Sequence, residues 1–223
     1  MNVDERMTAY IRSLDHGERE YIRALEQEAA DDGIPIIRKE TEALLRVLLT
    51  MKKPKRLLEV GAAVGFSSIF MSEYAGAECK ITTIENYEPR IIKARENIKN
   101  AGKQEQITLL EGDAAEILKT LTPAYDFIFM DAAKGQYIHF FPQVMRLLAE
   151  GGILVSDNVL QDGDIVQSRY AVTRRNRTIH SRMREYLWKL THDPALETIV
   201  LPIGDGVTVS TKKEEPMNGA ALP

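Results

Sequence analysis

From Arg56 onward, short apolar runs alternate with segments of helical periodicity, and this alternation constrains the fold more than any other feature of the chain. Several runs, such as 127–130 and 153–155, are continuously apolar. That pattern is typical of parallel strands covered on both faces. The predicted strands are 56–60, 80–85, 106–111, 125–131 and 152–157, and the predicted helices between them are 67–75, 88–101, 114–121 and 137–149. This order predicts a doubly wound α/β sheet.

The segments on either side of this alternation complete the predicted chain. Upstream, two helices are predicted over 4–31 and 39–51 as an N-terminal helical layer within 1–53. Downstream, a helix over 176–190 precedes two short strands whose connection contains Gly204 and Asp205, which predicts a hairpin. These strands are predicted over 197–202 and 206–211. We expect one domain over 1–223, with a disordered tail over 212–223.

The composition is that of an ordinary globular protein, with 44% hydrophobic and 28% charged residues in 223. The charged N-terminus lacks a secretory signal and no apolar run approaches the roughly 20 residues of a membrane span, so we expect a cytoplasmic protein without a membrane partner. The single cysteine, Cys79, excludes an internal disulfide or a cysteine metal cluster. The net charge of −4 argues against a general nucleic-acid coat protein but leaves room for a local basic patch.

A glycine turn follows the first predicted strand, in the stretch LLEVGAAVGFSS. Its Gly61 and Gly65 are spaced G-x-x-x-G, so neither the dinucleotide fingerprint G-x-G-x-x-G nor the P-loop fits. Glu59 would repel a pyrophosphate and suits a ligand that carries positive charge. The pattern E-x-G-x-x-x-G resembles the first motif of S-adenosylmethionine-dependent methyltransferases. A tight turn without a ligand remains the alternative.

Polar side chains follow the other predicted strands, at the edge where open α/β sheets bind ligands. Glu85 ends the second strand, 24 residues after Gly61, about where an acid binds a ribose. Asp113 follows the third strand, where an adenine would lie. Asp113 equally fits a helix N-cap, because a predicted helix begins directly after it.

The fourth and fifth predicted strands end in Asp131 and in the pair Asp157 and Asn158. Two carboxylates and an amide oxygen suit a hard cation such as Mg²⁺. An Asx turn at Asp157 is the alternative. Lys134 stands three residues after Asp131. A neighbouring metal and sulfonium disfavour its ammonium form, so Lys134 could act as a base, whereas a lone loop lysine is usually a solvated charge.

Taken together, the segments LLEVGAAVGFSS, TIENYEP, LLEGDA, FIFMDAAKGQY and GGILVSDNVL resemble the metal-dependent O-methyltransferases of the catechol and caffeoyl-coenzyme A type. The resemblance covers residues 35–211 with the motifs in the family's order. It implies a Rossmann-like class I methyltransferase fold: a seven-stranded, mostly parallel sheet with a C-terminal antiparallel hairpin strand and extra N-terminal helices. We also expect a homodimer.

The resemblance also assigns roles by position. It implies that Asp131, Asp157 and Asn158 bind the metal and that Lys134 and Asp131 act in catalysis. For S-adenosylmethionine it implies contacts from Ile37, Glu59, Gly61, Ser67, Glu85, Asp113, Ala114 and Asp131. Asp113 and the pair Ala62 and Ala63 vary within the family and carry less weight.

The family's chemistry requires a substrate with two adjacent oxygens, which a catechol has and 5-hydroxyuridine also has. In the segment 169–189, seven basic residues stand against the single acid Glu185. This segment favours a phosphate backbone, and the chain resembles the family's bacterial members that convert 5-hydroxyuridine to 5-methoxyuridine at the tRNA wobble position. The predicted tRNA contacts are Arg174, Arg175, Arg177 and Arg182.

Two classes of alternative follow. The first is an O-methyltransferase of small catechols or hydroxycinnamoyl esters, since coenzyme A also carries phosphates. The second is a different class of protein, either a non-catalytic S-adenosylmethionine-binding module or a dehydrogenase. The intact acid and lysine set disfavours the binding module, and the missing G-x-G-x-x-G disfavours the dehydrogenase.

Overall fold

A computed structural model describes residues 5–214 of the chain. The strands are β1 (Arg56–Val60), β2 (Lys80–Glu85), β3 (Ile107–Glu111), β4 (Tyr125–Met130), β5 (Leu148–Ser156), β6 (Leu196–Leu201) and β7 (Val207–Lys212). The helices are α1 (Glu5–Ser13), α2 (Glu20–Asp31), α3 (Lys39–Lys52), α4 (Phe66–Tyr74), α5 (Glu88–Asn100), α6 (Ala114–Thr120), α7 (Tyr137–Leu147) and α8 (Arg177–His192). Two short 3₁₀ turns, Lys134–Gln136 and Gln161–Val166, complete the list.

The seven strands form one sheet in the order β3-β2-β1-β4-β5-β7-β6. Strands β1 to β5 pair in parallel, and β7 pairs antiparallel with both β5 and β6. This arrangement confirms the fold predicted from the sequence. The register pairs Val60 with Met130 and Met130 with Ser156, so the next residues of β1, β4 and β5 meet at one edge.

Both faces of the sheet are covered by helices. Along β4, Phe127 and Phe129 belong to one core cluster, whereas Ile128 and Met130 belong to the other. This alternation is the period of a strand, whose successive side chains point to opposite faces. Helices α3, α4 and α5 contribute to the first cluster, and α6, α7 and α8 to the second. The continuously apolar runs are therefore strands buried on both sides.

The N-terminal segment differs from its prediction, because the single helix expected over 4–31 is two helices, α1 and α2. The chain turns between them at Gly17, which has a φ of +78°. The Asp15 carboxylate accepts the Gly17 amide at 2.8 Å and pairs with Arg46 of α3 at 3.0 Å. These polar contacts stabilise the turn, and helical periodicity in the sequence does not reveal them.

The predicted C-terminal tail, 212–223, overlaps the last strand by one residue and otherwise lies mostly outside the described part of the chain. The expected tail began at Lys212, which is the last residue of β7 and whose Nζ donates to the carbonyl oxygens of Met145 and Leu148 at 2.9 Å. Residues 215–223 lie outside the described part of the chain. Within 5–214, none of the helices is long and apolar enough to cross a membrane.

The turn after β1 brings the chain very close to the end of β4. A Cβ on Gly61, whose φ is +104°, would lie 2.2 Å from the Asp131 carbonyl oxygen. The Asp131 amide in turn donates to the Val60 carbonyl at 3.0 Å. Glycine is therefore required at position 61 by the approach of two backbone segments, as well as by its dihedral angle.

We predict that Gly61→Ala destabilises the protein far more than Gly76→Ala. Gly76 has a similar φ of +90° but has no atom within 4 Å of an added Cβ, so it isolates the dihedral cost. That cost is about 1–2 kcal/mol, and the steric overlap at Gly61 should add about 2 kcal/mol or more. Chemical denaturation of both variants measures the difference. Equal losses of unfolding free energy would show that the backbone approach at Gly61 is unimportant.

Candidate active site

A cavity of about 820 Å³ opens beyond the carboxyl ends of the parallel strands. Its position is the one at which open α/β sheets bind ligands. Most of the residues predicted from the sequence for the cofactor, the metal and catalysis line it. They are Gly61, Glu85, Asp113, Ala114, Asp131, Lys134, Asp157 and Asn158.

Three predicted cofactor residues, Ile37, Glu59 and Ser67, are not among the described residues that line the cavity. Ile37 is buried beneath the surface, and its neighbours Ile36 and Arg38 line the cavity instead. Glu59 is fully buried beneath the glycine turn. These three side chains thus lie outside the lining of the cavity.

Glu59 is a buried acid with incomplete hydrogen bonding. The Thr83 hydroxyl donates to its Oε2 at 2.5 Å, and Oε1 has no hydrogen-bond partner among the described residues. Burial raises the pKa of Glu59 to about 7, against the opposing effect of hydrogen bonds from Ser67 and Thr83. The carboxylate therefore costs free energy in its ionised form unless a positive charge approaches it.

The Glu85 carboxylate is fixed by three backbone N–H groups. Oε2 accepts from Ala63 at 2.8 Å, and Oε1 accepts from Asn86 and Tyr87 at 2.9 Å. A carboxylate has about four acceptor positions, so one remains for a ligand hydroxyl. Glu85 thus ties the glycine turn to the end of β2 and still faces the cavity. Its contact with a ribose stays a prediction.

Asp113 fulfils the structural role that the sequence left open. It is the N-cap of α6, and its side chain accepts the Ala115 amide at 2.8 Å. Asp113 and Ala114 also line the cavity, so the start of α6 forms part of the wall.

The three predicted metal ligands converge as expected from neighbouring strands. The Asn158 Nδ2 donates to the Asp131 Oδ1 at 3.0 Å, and the Asn158 amide donates to the Asp157 Oδ1 at 2.8 Å. Asn158 adopts a φ of +61°, which turns its side chain toward Asp131. The Asp157 carboxylate thus accepts the amide of the next residue, whereas an Asx turn would join it to the amide two residues on.

Burial makes this site unfavourable for two negative charges. It raises the pKa of Asp157 to about 7, and repulsion from Asp131 and Asp205 adds to the effect. Burial also raises the pKa of Asp131, although the Asn158 hydrogen bond opposes the shift. A cation bound between the carboxylates would offset both costs.

The donor chemistry fits a hard divalent cation. Within the described residues, no three His, Cys, Asp or Glu side chains are arranged to hold a metal ion. Two carboxylates and the Asn158 amide oxygen are a set that Mg²⁺ accepts, because Mg²⁺ keeps several waters and needs few protein ligands. Asp131, Asp157 and Asn158 would hold such an ion.

Lys134 has a partner that the sequence analysis missed. Its Nζ lies 2.9 Å from the Asp205 Oδ2, and Asp205 is only 5% exposed. Asp205 was noted only as a turn residue between the last two strands. The loop after Asn158 binds this turn, since the Val159 and Leu160 amides donate to the Gly206 and Asp205 carbonyls at 2.9 Å. The sequence signal that could have indicated Asp205 is its position as an acid between Gly204 and Gly206.

The predicted tRNA contacts are not among the described residues that line the cavity. Arg182 comes nearest, because its Nη1 donates to the Gly135 carbonyl at 3.2 Å, next to Lys134. Arg174 and Arg175 are exposed. Arg177 lies over the ring of Tyr170, with 5.7 Å between its guanidinium carbon and the ring centroid. Helix α8 thus connects the basic segment to the loop that carries Lys134.

The sequence profile of the O-methyltransferase family matches residues 12–213. This chain belongs to that family. The catechol O-methyltransferase of Niastella koreensis is 31% identical to this family member over 171 residues, which are 74% of this chain and 77% of the relative. The caffeoyl-CoA O-methyltransferase of Citrus natsudaidai is 31% identical over 179 residues, or 75% of each chain.

Solved structures agree with this membership. The SAH-bound methyltransferase PaMTH1 of Podospora anserina superposes on this O-methyltransferase with a TM-score of 0.84 and 26% identity, covering 96% of this chain and 97% of that one. The O-methyltransferase of Bacillus cereus in complex with SAH gives a TM-score of 0.81 over 92% of this chain and 96% of its own. At 20% identity, the second likeness concerns the fold alone.

We predict that Glu59→Gln removes a pH-dependent penalty on folding. The folded pKa of Glu59, about 7, lies above its ordinary value of 4.5, so the folded state binds more protons than the unfolded state between these values. Wild-type stability should therefore fall, relative to the variant, as the pH rises from about 4.5 to 7, and the gap should stay constant above 7. Its upper limit is about 3 kcal/mol.

Denaturation of the ligand-free protein at a series of pH values measures this gap. Any pH-independent effect of the substitution cancels when values at two pH values are compared. Glu78→Gln makes the same substitution at an exposed position and is the matched control. A constant gap from pH 4.5 to 8 for Glu59→Gln would contradict the prediction.

Proposed function

We propose that this O-methyltransferase uses S-adenosylmethionine and Mg²⁺ to convert 5-hydroxyuridine to 5-methoxyuridine at wobble position 34 of tRNA. The observation that carries the proposal is the contact between Arg182 and the Gly135 carbonyl. It places the most basic segment of an acidic chain directly beside the loop of Lys134. The reaction would then take place in the cytoplasm, where tRNA is available.

The methyl donor is supported by the shape and chemistry of the cavity. The turn at Gly61 and the carboxylate of Glu85 form one wall, and the start of α6 forms another. These groups suit the ribose and base of an adenosine, and the buried acids nearby suit a sulfonium and an ammonium. The related PaMTH1 was solved with SAH, the demethylated form of this donor.

The acceptor chemistry follows from the residues at the ends of β4 and β5. A hard divalent cation, when bound, favours the deprotonated form of an acceptor hydroxyl. Lys134 lines the same cavity, and as the neutral amine it would be placed to take the hydroxyl proton, after which Asp205 would stabilise the resulting ammonium. Transfer of the methyl group then depends on alignment of the oxygen with the sulfonium, which the rigid strand ends provide.

RNA as the substrate is supported by charge and by an exposed aromatic ring. Arg174 and Arg175 are exposed, and Tyr170 is 81% exposed with Arg177 over its ring. Phosphates bind arginines, and unpaired bases stack on aromatic rings and guanidinium planes. The segment therefore offers both kinds of contact that a single-stranded anticodon loop needs.

A second candidate function is methylation of small catechols or hydroxycinnamoyl esters. The names of the Niastella koreensis and Citrus natsudaidai relatives favour it. The same cavity, metal ligands and lysine would serve either substrate, because both present adjacent oxygens. The two functions differ in whether the basic segment contributes to turnover.

We predict that tRNA from a strain lacking this protein accumulates 5-hydroxyuridine and that the purified protein, with S-adenosylmethionine and Mg²⁺, converts it to 5-methoxyuridine. Nucleoside mass spectrometry measures both forms. Asp131→Ala and Lys134→Ala should abolish turnover, whereas Glu85→Ala should chiefly weaken binding of the donor. Unchanged tRNA together with a methylated catechol would favour the second candidate function, and full activity in EDTA would refute the metal.

We predict that reversing the charge at Arg174 and Arg175 impairs methylation of tRNA selectively. The double variant Arg174→Glu/Arg175→Glu should lower kcat/KM for tRNA about tenfold or more, because phosphate contacts dominate affinity for nucleic acids. It should leave kcat/KM for a small catechol within about twofold, since neither residue lines the cavity.

The matched control is Lys55→Glu/Lys99→Glu, which makes the same change of charge at two exposed positions. Lys55 precedes β1, and Lys99 lies at the end of α5, so both are at the edge of the sheet opposite the cavity. Equal losses of tRNA methylation in the two double variants would indicate an effect of net charge. Equal losses on tRNA and catechol in the arginine variant would contradict the substrate assignment.

A further inference from the structure

A second cavity, of about 400 Å³, lies between the loop after the Gln161–Val166 turn and the first half of α8. The residues that line it include two arginines, a histidine and two serines, and none of those described is an acid. They are Gln167, Ser168, Arg169, His180, Ser181 and Arg184. A concave site lined by cations without carboxylates suits an anion.

The cations of this cavity are not neutralised by acids among the described residues. Arg184 donates through Nη1 to the Ile165 carbonyl at 3.1 Å, which fixes the guanidinium while leaving its charge unpaired. Arg169 is exposed, and it forms no ion pair with any side chain that the structure describes. Elsewhere on the protein, arginines such as Arg12 and Arg46 pair with carboxylates. The cavity therefore keeps two positive charges available.

His180 supplies an independent observation. It is only 2% exposed, and its Nε2 lies 3.2 Å from the Gln167 carbonyl oxygen. A carbonyl oxygen only accepts, so Nε2 carries a hydrogen. The other nitrogen, Nδ1, is buried without a hydrogen-bond partner among the described residues. A buried polar atom left unpaired costs about 1–3 kcal/mol, so a partner that arrives with a ligand would be favourable.

We propose that this cavity binds a phosphate group. The guanidinium groups of Arg169 and Arg184 offer N–H donors and charge, and the imidazolium form of His180 donates from Nδ1 to a phosphate oxygen. The Ser168 hydroxyl accepts the Tyr170 amide at 3.3 Å and keeps its own hydrogen for the ligand. Arg169 and Arg184 belong to the basic segment 169–189, but neither they nor His180 are among the four tRNA contacts predicted from the sequence.

The phosphate is a phosphodiester of the substrate backbone, an assignment that rests on the proposed tRNA function. His180 and Arg184 lie one turn apart on α8, and Arg182 projects from the opposite side of that turn toward Gly135. An RNA strand that crosses the first half of α8 would reach this cavity on one side and the catalytic cavity on the other. Inorganic phosphate is the other source of the same chemistry.

The first test measures binding of a fluorescently labelled tRNA anticodon stem-loop by anisotropy at several salt concentrations. For Arg169→Gln/Arg184→Gln, the slope of log K against log salt should decrease by about one unit, the value of one lost phosphate contact. Arg169→Lys/Arg184→Lys keeps the charge and should retain most of the slope. Lys55→Gln/Lys99→Gln is the control for net charge, and thermal unfolding of each variant checks the fold.

The second test titrates inorganic phosphate and follows the imidazole signals of His180 by NMR, assigned with His180→Gln. Phosphate should shift these signals in the wild type and not in Arg169→Gln/Arg184→Gln. Loss of both responses in the glutamine variant supports the backbone site. A phosphate response with an unchanged salt slope supports a site for free phosphate and overturns its role in tRNA binding.

The two tests also separate this proposal from the proposed function. If the wild type binds inorganic phosphate at His180 but neither binds the stem-loop nor methylates tRNA, the tRNA function fails and the phosphate site stands. If wild type and glutamine variant respond identically in both tests, the phosphate site itself is refuted.

Discussion

The close pairing of β1, β4 and β5 is the constraint on which the candidate site depends. Parallel register places Val60, Met130 and Ser156 side by side, so the residues that follow them emerge at one edge. The backbone of Gly61 then approaches the Asp131 carbonyl so closely that no side chain fits between them. The pairing of the strands thus fixes the positions of the glycine turn and of Asp131 together.

Buried acids at the ends of the strands determine the electrostatics of the site. Glu59, Asp131 and Asp157 are acids whose pKa values are raised by burial. Their placement costs folding free energy, and buried charges of this kind are commonly found where they serve binding. A cationic methyl donor, and a divalent metal if one binds as we propose, would offset this cost. The ion pair of Lys134 with Asp205 extends the same network to the β6–β7 turn.

Helix α8 lies against the loop that carries Lys134 and brings basic residues close to the site. Its buried face, with Met183 and Tyr186, packs into the core beneath the sheet. The helix also carries Arg177 and Arg182, and the residues just before it include Arg174 and Arg175, all of which we assign to tRNA. The cavity at His180 lies along the same helix. Membership of the O-methyltransferase family supports the methyl-transfer chemistry that we propose for the cavity at the strand ends. The proposal that tRNA is the acceptor depends instead on helix α8 and the basic segment.

The sequence by itself determined the strands, the order of the motifs and the residues at the strand ends, because apolar runs and their terminal acids are local properties of the chain. Only the tertiary structure decided that Asp205 pairs with Lys134, that Glu59 lies outside the lining of the cavity, and that residues 5–31 form two helices. Each of these depends on contacts between segments far apart in the chain, such as Lys134 with Asp205 and Arg46 with Asp15. The periodicity and spacing of residues along the chain do not predict such contacts.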